Sequence, residues 1–186
     1  MTNEEIEKTI KEARDSGAKR YYLRNEKLSE LPESICTLTE VEEISLIGNK
    51  LTKLPVKFGA LKNLIRLHLS DNSFETIPPE IFLLPKLTHV CIRANKIKLL
   101  PENIGELKSI RDIDLDSNRI SSIPLTTENI DIIDNLSVLD NPILDPPFQI
   151  LQQGKEALKL YVEKKGKVLL YTDSAPIKPD NICRVR

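Results

Sequence analysis

The chain repeats itself every 23 residues, and few folds tolerate that. Leu64 to Phe74 reads L-x-x-L-x-L-x-x-N-x-Φ, where Φ is apolar, and the pattern runs on to Ile77-Pro78. The same pattern starts at Ala18, Val41, Leu64, Leu87, Ile110 and Ile133, each start 23 residues after the one before. Six copies without an insertion mark a repeat architecture. Within a copy, Leu67, His68 and Leu69 alternate with period two, the signature of a strand with one buried face. Leu67 and Leu69 point inward, while Arg66, His68 and Ser70 point out of the other face. Asn72 ends the strand, where its amide can bond turn backbone and satisfy groups of the neighbouring copy. Pro78, Ile81 and Leu84 then suit a short helix or 3₁₀ turn with proline in its first turn. One copy cannot bury its own apolar face, so copies must stack. Strand, short helix and strand in succession give a parallel sheet. The expected fold is therefore an α/β solenoid. A parallel sheet lines its concave face, and short helices or 3₁₀ turns line the convex one.

The L-x-x-L-x-L-x-x-N-x-L pattern resembles the leucine-rich-repeat family across about residues 18–146. The L-P-x-x-I-x-x-L half and the strict period resemble its intracellular Ras-group subclass, which includes Ras-suppressor and Scribble-type proteins. The run Asn141-Pro142-Ile143-Leu144-Asp145-Pro146-Pro147 is followed by Gly154-Lys155-Glu156-Ala157-Leu158 and Tyr161. That stretch is similar to the C-terminal cap of Roco-protein repeat domains. No G-x-x-x-x-G-K-[ST] phosphate loop occurs anywhere in the chain. The resemblance implies an adaptor or scaffold that binds protein and has no cofactor.

Stacked repeats need covered ends. Residues 1–17 supply an N-terminal cap: Ile6, Ile10 and Ala13 form one stripe, Thr2 and Glu5 a capping box, and Gly17 a helix end. Residues 18–146 hold the six repeats. The first is degenerate, with Tyr21 for a strand leucine and Glu26 for the asparagine. Thr127 breaks the apolar rule in the fifth. Residues 147–166 read as a helical C-terminal cap. Ile150, Leu151, Leu158, Tyr161 and Val162 would cover the last repeat, and Gly154 would bend or break the helix. Residues 167–186 read as a loosely ordered tail in which Val168–Tyr171 could form a short strand.

The 186 residues carry a net charge of −1, with 30% charged and 40% hydrophobic residues, which argues against a dedicated nucleic-acid binder. No apolar run approaches a membrane span. The three cysteines, Cys36, Cys91 and Cys183, are odd in number and far apart. With the acidic, polar start, they point to a reducing cytoplasmic setting. The chain alone is expected to be a monomer.

Periodicity draws the concave surface as three columns. The first is Arg20, Glu43, Arg66, His89, Asp112 and Asn135. The second is Tyr22, Ser45, His68, Cys91, Asp114 and Ser137. The third is Arg24, Ile47, Ser70, Arg93, Asp116 and Leu139. From these the expected partner-binding residues are Arg20, Tyr22, Arg24, Arg66, His68, His89, Cys91, Arg93, Asp112, Asp114 and Asp116, a basic side beside an acidic edge. The expected structural ladder is Asn49, Asn72, Asn95, Asn118 and Asn141. His68, His89, Cys91 and Asp114 are acceptable zinc ligands, but no ligand spacing fixes them, so a chance cluster is preferred and no metal is assigned. Catalysis by Cys91 would need a base, an oxyanion hole and a pocket, which an open sheet does not offer. The reading is a non-enzymatic interaction module binding a protein on its concave face. The alternatives are a non-catalytic regulatory subunit of a GTPase or phosphatase system, and a bacterial effector that mimics host adaptors.

Overall fold

A computed structural model of the chain describes residues 1–107, 109–124 and 136–171. Six strands form one parallel sheet in chain order: β1 Arg20–Tyr22, β2 Glu43–Ser45, β3 Arg66–His68, β4 His89–Cys91, β5 Asp112–Asp114 and β6 Leu136–Ser137. The register links Tyr21, Ile44, Leu67, Val90, Ile113 and Leu136 in one inward row. A one-residue slip would send that whole row to the other face, so burial fixes the pairing.

Each strand is short because the chain turns sharply just past it. The residue before each ladder asparagine has positive φ: Gly48 at 75°, Asp71 at 56°, Ala94 at 52°, Ser117 at 54° and Asp140 at 55°. This left-handed residue swings the chain away from the sheet and aims the following Asn inward. The return runs through 3₁₀ turns at Glu33–Thr37, Val56–Ala60, Pro79–Leu83 and Glu102–Glu106. Pro32, Pro55, Pro78 and Pro101 sit at the N-cap of these turns, not inside the first turn. Their φ near −65° suits an extended entry, and the missing N–H is not needed there. Successive turns pack closely: a Cβ on Gly59 would stand 2.7 Å from Cβ of Leu83. Thr127, Ile130, Ile133 and Asn135 lie outside the described residues.

The ends are covered by helices. α1, Asn3–Asp15, starts from Thr2, whose hydroxyl accepts the Glu5 N–H while the Glu5 carboxylate accepts the Thr2 N–H. Ile6 and Ile10 are each 1% exposed and join the same hydrophobic core as the strands. At the other end α2, Phe148–Gln152, and α3, Lys155–Tyr171, are separated by Gly154 at φ 81°. Leu158 is fully buried, and Leu151 packs on the core. Here the structure corrects the sequence reading. Helix α3 runs across residue 166 to Tyr171, so Val168–Tyr171 is helical and not a strand. Between Gly154 and Tyr171 the chain holds helix formers such as Ala157, Leu158 and Leu160 and no proline, so one helix propagates through Gly166. Residues 172–186 lie outside the described residues.

Candidate functional site

The asparagines form a continuous polar spine. The Asn95 carbonyl oxygen accepts from the Phe74 N–H at 2.9 Å. Its amide donates to the carbonyls of Leu69, Ile92 and Arg93 at 3.0–3.1 Å. Asn72 and Asn118 repeat this pattern, with acceptance from Leu51 and Ile97. Asn141 repeats it too, taking the Ile120 N–H. Asn49 instead accepts two N–H groups, from Glu26 and Leu28, and donates to Leu23 and Leu46. Every bond joins a buried turn to its own strand or to the preceding repeat. In the first repeat Glu26 takes the place of Asn, and its carboxylate instead holds the Met1 amino group at 2.8 Å.

On the open face the charges are more organised than three free columns. Glu43 is the hub. Its carboxylate accepts from Arg66 Nε at 3.1 Å and from the Tyr22 hydroxyl at 3.0 Å, with Arg20 Nε 3.8 Å away and His68 Nε2 3.7 Å away. The Arg24 guanidinium lies 4.5 Å from the Tyr22 ring centroid and donates to Ser45 Oγ at 2.7 Å, which covers that serine completely. The basic side is therefore partly neutralised by one acid that joins three strands. Arg66 is not the free cation that the column implied.

The acidic edge shrinks as well. Asp112 is exposed. Asp114 is half-buried, takes the Asp116 N–H at 3.0 Å and lies 3.4 Å from Cys91 Sγ. Asp116 is only 9% exposed, and its carboxylate accepts from Ser137 Oγ and the Leu139 N–H. It staples β5 to the last repeat, so it leaves the list of partner residues. The third column sits where the strand bends into the left-handed turn. Short polar side chains there fold under the neighbouring repeat, and Ser70 is likewise buried.

Burial pushes the Cys91 thiol above its usual value, and the Asp114 charge and hydrogen bond add to that; bonds from Ser70 and the Arg93 backbone only partly oppose it. A thiol so held is a poor nucleophile. Among the described residues no three His, Cys, Asp or Glu side chains converge as a metal site would require. His89 Nδ1 bonds Thr88 Oγ1 at 2.7 Å, turned to its own strand.

The hub has a definite acid response. Burial opposes ionisation of Glu43, but the hydrogen bonds from Arg66 and Tyr22 and the charges of Arg66 and His68 outweigh it and hold the carboxyl below its ordinary value. Burial first holds the His68 imidazole below its ordinary value; the Glu43 charge pulls the other way, and the charges of Arg24 and Arg66 add to the lowering. His68 is therefore neutral at neutral pH, and its contact with Glu43 is not an ion pair there. Both groups bind fewer protons folded than unfolded. Their contribution is complete above the unfolded pKa values and is lost as pH falls, first through the imidazole range near ~6.5 and then through the lowered Glu43 pKa. Glu43→Gln is expected to cost about 1 kcal/mol at neutral pH, at the low end for charged hydrogen bonds because Arg66 is 40% exposed. It should also flatten the carboxylate limb of a pH series of urea melts. An unchanged limb would assign the acid response elsewhere.

Residues 62–120 match the family model described as leucine rich repeat. No curated protein matches the chain. A leucine-rich-repeat protein of Leptospira interrogans is similar in structure, with TM-score 0.65, 28% identity and 76% of this chain covered; this chain spans 36% of that protein's length. The Arabidopsis receptor kinase HAESA, solved with the peptide hormone IDA and the co-receptor SERK1, gives 0.58 at 25% identity, covering 70% of this chain and 23% of its own. The ectodomain of the Arabidopsis thaliana receptor kinase GASSHO1/SCHENGEN3, solved with Casparian strip integrity factor 2, gives 0.50 at 30%, covering 60% and 14%. With a 23-residue period, one parallel strand per repeat, the family-model match and leucine-rich-repeat neighbours, the chain is a leucine-rich-repeat solenoid.

Proposed function

We propose that the chain is a non-enzymatic interaction module that takes a protein partner on its concave face. The observation that carries this reading is Tyr22, 44% exposed on that face and fixed in place by Glu43 beneath its hydroxyl and Arg24 over its ring. Tyrosine and arginine dominate interface energetics, and a ring already locked in one rotamer loses little entropy on binding. Arg20 is exposed on the same strand, and Arg93 and Asp112 are exposed further along the face, just past β4 and on β5, where they supply charge for a partner that spans the sheet. Leucine-rich-repeat proteins generally bind other proteins, and the HAESA and GASSHO1 structures were solved with peptide or protein partners. The Ras-group resemblance favours a cytoplasmic adaptor role.

The test is affinity capture with mass spectrometry, comparing the wild type with surface variants. Arg93→Glu with Asp112→Lys reverses two exposed charges, and Tyr22→Ala removes the anchor. Tyr22→Ala is expected to cost the main partner about 2 kcal/mol, roughly thirtyfold in Kd. Arg66 is a poor choice, since Arg66→Glu would set a second acid against the half-enclosed Glu43. Reversal of Lys57 and Lys62, on the far side of the repeats, should leave capture intact. Loss through Lys57 and Lys62 with no effect at Tyr22 and Arg93 would remove the concave-face assignment.

A further inference from the structure

A second charged surface lies off the concave face. The residue after each ladder asparagine is Lys50, Ser73, Lys96 and Arg119 in the second to fifth repeats, and Lys27 holds the matching place in the first. The backbone keeps this file in register. The N–H groups of Lys50, Ser73, Lys96 and Arg119 donate to the carbonyls of Leu28, Leu51, Phe74 and Ile97 at 2.8–2.9 Å. Neighbours in the file therefore stand about one strand spacing apart, ~4.8 Å. Lys27, Lys50 and Arg119 are exposed and Lys96 is half-buried.

Nearby cations two or three positions further on are matched with acids of the adjoining repeat: Lys53 with Glu30 at 3.6 Å and Lys98 with Glu75 at 3.0 Å. Among the described residues Lys27, Lys50, Lys96 and Arg119 make no ion pair. The Glu75 carboxyl is held below its ordinary value by its bond to Lys98 first, and the charges of Lys96 and Arg119 also act on it. One acid is thus shared among three cations, and the file keeps a positive excess although the whole chain carries −1.

We propose that this file is a docking strip for an acidic, extended segment of a protein partner. The excess charge calls for an anion, and its shape selects the kind. The file is one residue wide and spans about 19 Å from Lys27 to Arg119, the length of roughly six extended residues at ~3.3 Å each. A segment with carboxylates on alternate residues presents one edge of negative charge along that line. A flat anionic membrane suits it less, because exposed Asp71 and Glu75 border the cations and would face the lipid charge. A nucleic-acid strand lacks its usual platform, since no aromatic side chain stands in the file to stack a base.

The test uses the full chain and a fluorescent twelve-residue peptide of alternating glutamate and serine, read by anisotropy at two salt concentrations. The peptide is expected to bind, and to bind more weakly at the higher salt. The combined Lys50→Gln, Lys96→Gln and Arg119→Gln variant should lose about tenfold in affinity with an unchanged melting curve. Lys53→Gln, Lys57→Gln and Lys62→Gln remove the same number of charges elsewhere and should leave affinity unchanged. Asp112→Ala, on the concave face, should do the same, which separates this strip from the concave site. The proposal is overturned if the peptide does not bind, or if the Lys53, Lys57 and Lys62 variant weakens it equally. Tighter binding by phosphatidylserine vesicles or single-stranded DNA in parallel assays would overturn it in favour of those partners.

Discussion

Replacing Asn95 with alanine is expected to lower stability by about 3 kcal/mol, because it strands the buried N–H of Phe74 and removes one of two donors from each of the carbonyls of Leu69, Ile92 and Arg93, which keep only Asn72, Asn118 and the Asp71 N–H. For a chain of this size that is a fall of roughly 6–12 °C in melting temperature. Water cannot replace the lost partner easily, since Asn95 is packed between Leu69, Ile92 and Phe74 and is itself buried. Asn95→Asp is a sharper probe than it looks. It keeps the acceptor for Phe74 but turns a carboxylate toward three carbonyl oxygens, so it should be at least as damaging. Lys96→Ala, one residue along, should stay within about 0.5 kcal/mol because the Lys96 side chain has no such partners. An unchanged melting temperature for Asn95→Ala would mean the spine contributes no net stability.

Removing residues 1–17 should be more damaging still. Ile6 and Ile10 each lose full burial, at about 1.5–3 kcal/mol apiece, a large share of the ~5–15 kcal/mol that holds a typical domain folded. The cut also bares Tyr21, whose hydroxyl bonds Thr9 at 2.8 Å, together with the apolar edge of the first repeat. Exposed apolar edges of stacked repeats associate. The expected result is aggregation on size exclusion or partial unfolding by circular dichroism. Ile10→Ala, a milder version, should cost about 2–5 kcal/mol with the chain still monomeric. A truncated chain that stays monomeric and equally stable would show α1 to be an appendage.

The two ends were not equally legible. Thr2 and Glu5 carry a helix start and Gly17 a stop, and α1 runs between them. Beyond Gly154 the comparable stop signal is Gly166, after Lys164 and Lys165, and the helix runs through it. The apolar run Val168–Tyr171, read as a short strand, competed there with helix propagation, and propagation from Lys155 won.

Period and alternation alone determined the stack. They set one strand per 23 residues, the inward row from Tyr21 to Leu136, the position of each asparagine and the outward order of the columns. Those follow from covalent spacing, because side chains alternate along any strand and an unbroken period leaves one register. Tertiary structure decided what the outward residues are. A column of letters makes Arg66 a free cation and Asp116 a surface acid. Parallel pairing brings Glu43 within reach of Arg20, Tyr22, Arg66 and His68, and sets Asp116 under Ser137 and Leu139. Whether a charge is open or spent depends on neighbours 21 or 23 residues away and on the few ångströms that separate them. Only the folded stack sets those distances, and electrostatic energy changes with them too steeply for spacing along the chain to reveal it.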